Sequence, residues 1–247
     1  MADTSGVTVS IVSHRHNGMI SHLLGDIGRH CDGKIRVILT ENVPDSVPIS
    51  TENLSFPVEK IVNASPKGFG ANHNAAFTRC HTPLFCVVNP DVRFESDPLP
   101  SLSGTLEDTR VGVVGPLVRN SNGTLEDSAR VFPTRTSLLL RAFEKRVGAV
   151  YPIDQGPLPV DWIAGMFMLF RRETYEAVGG FDAAYFLYYE DVDICWRLHA
   201  KGYSVIYDPR AEITHDAQRA SRGNFRLAAH HLASIFRYLR RIRDSRA

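Results

Sequence analysis

Leu84-Phe85-Cys86-Val87-Val88-Asn89-Pro90-Asp91 decides the reading of this chain. A short apolar run ends at once on an Asn-Pro step, the signature of a buried strand stopped by a turn. Three similar runs precede it: Val7–Val12, Ile35–Leu39 and Val58–Val62. Between them, residues 18–30 carry Met19, Leu23, Leu24 and Ile27 at helical spacing, and residues 70–80 read as a helix after a Gly-rich turn. Strands alternating with helices predict an α/β architecture, a mostly parallel central sheet flanked by helices. Ligands of such sheets bind at the carboxyl ends of the strands, where Asp91 falls.

Forward of Asp91 the pattern is less regular. Val111–Val114 reads as a strand, and residues 119–136 as a loop or hairpin. Residues 151–161 are rich in Pro and Gly, a candidate active-site loop. Trp162–Phe170 reads as a strand or buried segment. Arg172–Val178 is a short helix closed by Gly179-Gly180, residues 190–201 a helix ending at Gly202, and Tyr203–Tyr207 a strand. No internal repeat is visible, and no linker is long enough to separate a pair of domains.

Composition narrows the function classes. The 247 residues are 43% hydrophobic and 22% charged, a globular balance, with a net charge of +1. No overall field points to nucleic acid. Residues 219–247, however, hold eight Arg and one Asp, a charge of +7 that leaves −6 for the rest. The division expected is a domain over 1–218 and a basic helical tail over 219–247. Cys31, Cys80, Cys86 and Cys195 show no CxxC spacing, which fits free thiols in a reducing compartment. The apolar run after the polar N-terminus is too short for a signal peptide, and the best one, Ile163–Phe170, is far short of a membrane span. The expectation is a soluble cytoplasmic chain.

Five groups of residues could carry chemistry. Asp91 at a strand end suits a hard cation bound to phosphates, although Asn89-Pro90-Asp91 also makes an ordinary turn. In Lys67-Gly68-Phe69-Gly70-Ala71-Asn72-His73-Asn74 two glycines permit close backbone approach. The helix start favours an anion and Lys67 adds a charge, but a capped glycine turn accounts for the same residues. It is no Walker loop, because no GK[ST] follows. Glu190, Asp191 and Asp193 open a helix after Phe186-Leu187-Tyr188-Tyr189. Helix-dipole complementarity explains acids there, whereas enclosure would raise their pKa and make a base. His215 becomes a metal ligand only if the fold brings it to Asp91. Finally, Phe225, Ala228, Ala229, Leu232, Ile235, Phe236, Leu239 and Ile242 recur at helical spacing among arginines. That is a basic amphipathic helix, suited to an anionic membrane surface or to packing on the domain.

From Val7 to about Tyr238, the ordered set of motifs resembles a bacterial family 2 glycosyltransferase of the GT-A fold. The set comprises Lys67-Gly68-Phe69-Gly70, Asn89-Pro90-Asp91, Asp161 to Arg172, Gly179-Gly180-Phe181-Asp182 and Phe186 to Asp193. Within the family it looks most like rhamnosyltransferases of surface-polysaccharide assembly. The resemblance implies that Asp91 and His215 bind a divalent cation, Mg²⁺ or Mn²⁺, on a donor diphosphate. It implies that Asp191 is the catalytic base and that Glu190 orients it or meets the acceptor. Ser13, His14, Glu41, Lys67, Gly68, Phe69, Asn72, Asn89, Trp162 and Gly165 fall among nucleotide-sugar-binding positions. Asn89 replaces the first Asp of the family's Asp-x-Asp motif, and Ser13-His14 and Glu41-Asn42 replace Thr-Tyr and Asp-Asn.

The expected function is an inverting transfer of a sugar, L-rhamnose from dTDP-L-rhamnose, to a lipid-linked saccharide acceptor. The enzyme would sit at the inner face of the plasma membrane, bound through its C-terminal helix; a homodimer is left open and nucleic acid is not a partner. A galactofuranosyl or other hexosyl transferase using a UDP-sugar is the alternative. An inactive sugar-nucleotide-binding protein and a nucleotidyltransferase are further ones.

Overall fold

The computed structural model describes residues 6–49, 51–134, 151–152, 155–216 and 225–244, the last helix by backbone alone at 225–228 and 244. In chain order come β1 (Val7–His14), α1 (Asn17–His30), β2 (Ile35–Val43), β3 (Val58–Val62), α2 (Phe69–Phe77) and β4 (Leu84–Val88). Then follow β5 (Val92–Arg93), α3 (Leu99–Thr105), β6 (Val111–Asn120), β7 (Ala129–Arg130), β8 (Leu158–Val160) and β9 (Trp162–Ile163). The remainder is β10 (Phe167–Arg171), α4 (Arg172–Ala177), α5 (Glu190–Ala200), β11 (Ser204–His215) and α6 (Phe225–Asp244).

The strands of the main sheet run in the order β3-β2-β1-β4-β10-β6-β11-β5, with β8 on β11, and β7 pairs β9 apart from it. The first four pair in parallel, and β11 is parallel to β6. β10 is antiparallel to both neighbours, as are β5 and β8 to β11. The sheet is therefore mixed, with six strands in one direction and β5, β8 and β10 against them.

β1 explains why the sheet is covered on both sides. Val7, Val9 and Ile11 enter one core, with the inner faces of α1 and α3. Thr8 and Ser10 point the other way and are fully buried, so each needs a partner. Thr8 Oγ1 lies 2.7 Å from Thr82 Oγ1, and Ser10 Oγ 2.8 Å from His73 Nδ1. The second core takes Phe85, Phe170, Tyr175 and Phe181 in edge-to-face contact. It also receives Leu198 of α5 and Tyr238 of α6.

Several expectations need correction. The strand at Val111–Val114 continues to Asn120, and that at Tyr203–Tyr207 to His215, because the two strands pair with each other as far as His215↔Asn120. Trp162–Phe170 is not one strand: Ala164–Met166 break it between β9 and β10. α3 is hidden in the sequence by its Pro, Ser and Gly content. The four cysteines are free thiols. Among the described residues no helix is long and apolar enough to cross a membrane. The 218/219 boundary, residues 135–136 of the expected loop, and Ile153 and Asp154 of the Pro/Gly-rich segment lie outside the described residues.

Candidate active site

Parallel pairing of β1 to β4 brings their carboxyl ends to one edge. Ser13, next to last in β1, is buried, and its hydroxyl is committed to the chain itself: it donates to Asn17 Oδ1 at 2.7 Å and accepts from His16 N at 3.2 Å. His14 beside it is exposed. Partial burial and the neighbouring His16 and Arg15 lower its pKa, keeping the ring neutral. Glu41 is half-buried on β2, paired with Ser13 and Val62. Its neighbour Asn42, part of the Glu41-Asn42 motif but not counted among the binding positions, is buried and central. Asn42 Oδ1 accepts from Lys67 N at 2.8 Å and Asn63 Nδ2 at 2.9 Å, and its Nδ2 donates to Lys67 O at 2.9 Å. Asn63 Nδ2 also donates to Asn72 Oδ1 at 2.7 Å, and Asn72 Nδ2 to Gly68 O at 3.0 Å. Three buried amides thus fix the Lys67-Gly68 loop, with the Lys67 side chain exposed.

The glycines of that loop serve a different contact from the one expected. A Cβ on Gly68 would stand 2.6 Å from Phe186 O, and one on Gly70 2.5 Å from Phe181 Cβ. They admit the chain's own 181–186 segment, which Phe69 N secures by donating to Phe186 O at 2.9 Å. The loop before the acids is thereby locked to the loop at the strand ends.

Asp91 and His215, 124 residues apart in sequence, meet. β5 pairs with β11 through Val92↔His215, and Asp91 Oδ2 lies 3.2 Å from His215 Nε2. The other ring nitrogen, Nδ1, lies 2.8 Å from Glu126 Oε2. Burial alone would lower the pKa of His215, but the two carboxylates raise it to about 10 in the metal-free chain. Asp91 Oδ1 is buried and has no hydrogen-bond partner among the described residues. An orphaned carboxylate oxygen beside an imidazole nitrogen fits a divalent cation that takes its other ligands from a diphosphate. No group of three or more His, Cys, Asp or Glu among the described residues could hold a metal alone, so Asp91 and His215 are the two protein ligands that the described residues offer here.

The acids of α5 face a drier setting. Tyr188 and Tyr189 both have φ near +70°, a left-handed conformation that costs non-glycine residues about 1–3 kcal/mol each. After that turn Glu190 is buried and Asp191 half-buried, while Asp193, fully buried, pairs with Arg197 and Arg241 at 2.7 and 3.0 Å. Asp191 Oδ2 accepts from Gly165 N at 3.0 Å and Oδ1 from Val192 N at 2.8 Å. Glu190 is 5% exposed, and its Oε2 has no partner among the described residues. Burial, then the adjacent Asp191, pushes Glu190 up to about 8. Burial also raises Asp191, but the two amides and the positive field of Arg130 oppose it. Two backbone N–H donors favour the ionised form of Asp191, whereas Glu190 Oε2 has no such donor to offset its burial.

The Ala164–Met166 turn joins the two centres. Asn89, half-buried, donates its N–H to Met166 O at 2.9 Å, while Gly165 next door holds Asp191. Trp162 is buried, donates Nε1–H to Val131 O at 3.0 Å and carries the Arg130 guanidinium 4.9 Å above its ring.

The apolar positions of α6 do not form one stripe. Ser234 and Tyr238 are buried, and Ile235, Leu239 and Ile242 pack on the second core. Leu232 and Phe236 are 58% and 71% exposed, on the face that carries Arg240 and Arg243. The inner face grips the loop before the acids: Ser234 Oγ donates to Leu187 O at 3.1 Å, His230 stacks on Phe186, and Tyr238 meets Tyr189.

A family model described as glycosyltransferase-like family 2 matches residues 6–231. The chain is 30% identical to the rhamnosyltransferase WbbL of Escherichia coli (strain K12) over 256 aligned residues, 96% of this chain and 94% of that protein. It is 33% identical over 160 residues to the N-acetylglucosaminyl-diphospho-decaprenol L-rhamnosyltransferase of Mycobacterium tuberculosis (strain ATCC 25618 / H37Rv). That match covers 59% of this chain and only about half, 51%, of the relative. Among solved structures, the mannosyltransferase PcManGT of Pyrobaculum calidifontis in complex with GDP-Man and Mn²⁺ superposes with a TM-score of 0.66 at 17% identity, over 97% of this chain and 65% of that one. GalNAc-T7 with UDP, GalNAc and Mn²⁺ gives 0.68 at 12% identity, over 90% and 45%. At such identities these structures speak for the fold alone.

Proposed function

Because the chain belongs to the family 2 glycosyltransferases, with their GT-A fold, we propose that it moves L-rhamnose from dTDP-L-rhamnose onto a hydroxyl of a lipid-linked saccharide, in the assembly of a cell-surface polysaccharide. The observation that carries the reading is the pair of carboxylate centres, Asp91–His215 and Glu190–Asp191, joined through the Ala164–Met166 turn. The donor is supported by the similarity to two rhamnosyltransferases, one of them nearly end to end.

In this reading Asp91 and His215 hold the cation. When bound, it offsets charge on the departing diphosphate; the mixed oxygen and nitrogen donors suit Mn²⁺ better than Mg²⁺, which prefers oxygen alone. Lys67 adds a charge on the same side. Ser13, His14, Glu41, Phe69, Asn72 and Asn89 form or back the nucleotide-sugar pocket at the strand ends. The ionised Asp191 takes the proton of the acceptor hydroxyl. The hydroxyl oxygen bonds to the anomeric carbon as the bond to the diphosphate breaks, its electron pair leaving with the phosphate. One displacement inverts the configuration. Glu190, whose burial favours the neutral acid, spares Asp191 a negative neighbour.

The chain is read as a transferase domain over 1–218 followed by the +7 tail, residues 219–247, which makes the membrane contact. It would act from the inner face of the plasma membrane. The support is the exposed Leu232–Phe236–Arg240–Arg243 face, on which each Arg near an anionic surface contributes about 1 kcal/mol.

A thermal-shift screen of nucleotide-sugars with Mn²⁺ tests the donor, since a ligand of the folded state raises Tm by mass action. The expected result is stabilisation by dTDP-L-rhamnose above all others, followed by transfer to a lipid-linked acceptor. Stabilisation by UDP-sugars alone would overturn the donor.

A further inference from the structure

Glu126 sits on a segment that folds back along β6, its N–H donating to Val118 O at 2.9 Å. β6 is paired with β11, the strand that ends on His215. The fold thus sets the Glu126 carboxylate against one side of the His215 ring, 2.8 Å from Nδ1, while Asp91 Oδ2 lies 3.2 Å from Nε2 on the other. His215 is a buried residue, and Nδ1 is the ring nitrogen turned away from Asp91.

We infer that Glu126 is a positioning residue of the cation site: it accepts the Nδ1 proton of His215 and so fixes the ring with the Nε2 lone pair directed at the ion held by Asp91. The inference rests on the cation reading above. A neutral imidazole has one protonated nitrogen, and the bond made by that nitrogen decides which one is free to ligate. A carboxylate behind a ligating histidine locks both the tautomer and the ring rotation and raises the basicity of the ligand. Glu126 stands at Nδ1, across the ring from Asp91, so its role passes through His215.

Glu126→Ala should weaken Mn²⁺ binding by about 10–100-fold, read as free Mn²⁺ by electron paramagnetic resonance with the full chain, with and without dTDP. Glu126→Gln keeps an oxygen that accepts from Nδ1, and should retain most of the affinity. In a His215→Ala background, Glu126→Ala should cost nothing further. Binding of dTDP in chelator should not change in any Glu126 variant, which separates a positioning role from a general structural one. If the alanine variant fails to fold, Glu126→Asp, which draws the oxygen off Nδ1, carries the test with the same expected loss.

Mn²⁺ affinity of Glu126→Ala within twofold of wild type would overturn the inference. So would equal losses in Glu126→Ala and Glu126→Gln, or an undiminished loss without His215. A wild-type chain that binds no Mn²⁺ under either condition overturns the cation reading and this inference together, whereas the other failures leave the cation in place.

Discussion

Asp91 and Asp191 are the same side chain in opposite company. Asp91 stands against a histidine whose far nitrogen faces a second carboxylate, a cluster that attracts positive charge. Asp191 stands against a buried Glu190, held by two backbone amides, where burial drives protons onto the pair. The first arrangement suits an ion and the second a proton, and the difference comes from surroundings alone. A transfer that must quiet a leaving diphosphate and strip an acceptor hydroxyl needs one of each.

The largest effect is expected at Asp191. Asp191→Asn keeps the amide contacts but cannot accept a proton, so turnover should fall about 10²–10⁴-fold with nucleotide affinity near wild type. A variant above half of wild-type turnover would remove Asp191 from the role.

At the other centre, Asp91→Ala and His215→Ala should each cost the Mn²⁺-dependent part of donor affinity. A loss of roughly tenfold or more is expected, the scale on which even partners behind a metal ligand act. Calorimetry in chelator should find the variants and the wild type alike. Full transfer activity in excess chelator would separate the site from any cation.

A smaller effect distinguishes the proton side by pH. Glu190 is raised from 4.5 to about 8 in the folded chain, so the folded state keeps a proton the unfolded state has lost. Stability should fall as pH rises from about 4.5 to 8, and Glu190→Gln should flatten that fall in a Tm series. An equally steep series in the variant would contradict the assignment of the proton. Smallest of all, Leu232→Ser with Phe236→Ser should leave Tm and turnover on a soluble acceptor unchanged, since both side chains are exposed. The double variant should release the chain from anionic liposomes at low salt. If the wild type never binds such liposomes, the membrane reading of α6 fails.

The sequence disclosed what is local. β1 to β4 were legible as β-branched runs between turn signals, and α1, α2 and α5 as helical spacings, because each needs only its own side chains to be recognised. The family motifs marked Asp91, Glu190, Asp191 and His215. Hidden were the features made by partners far along the chain. Gly68 is glycine because of Phe186 O, 118 residues on. Asn42 on β2 and Asn63 just after β3 matter through the Lys67-Gly68 loop and its helix, and Glu126 through a ring 89 residues away. α6 misled for a related reason. Its apolar spacing fits a single stripe, yet Tyr238 and Ser234 choose the buried side through contacts with Tyr189 and Leu187. That choice leaves Leu232 and Phe236 outside.

The anomeric configuration of the product is the most direct test of the account. Full-length chain, Mn²⁺, the nucleotide-sugar selected by the donor screen and a lipid-linked saccharide acceptor are incubated together. The new linkage is then read by its one-bond C1–H1 coupling in NMR. With one base at Asp191 and one displacement, the product carries the anomer opposite to the donor, and the Asp191→Asn chain forms almost none of it. A product that keeps the donor's configuration, or equal product from the variant, would contradict it.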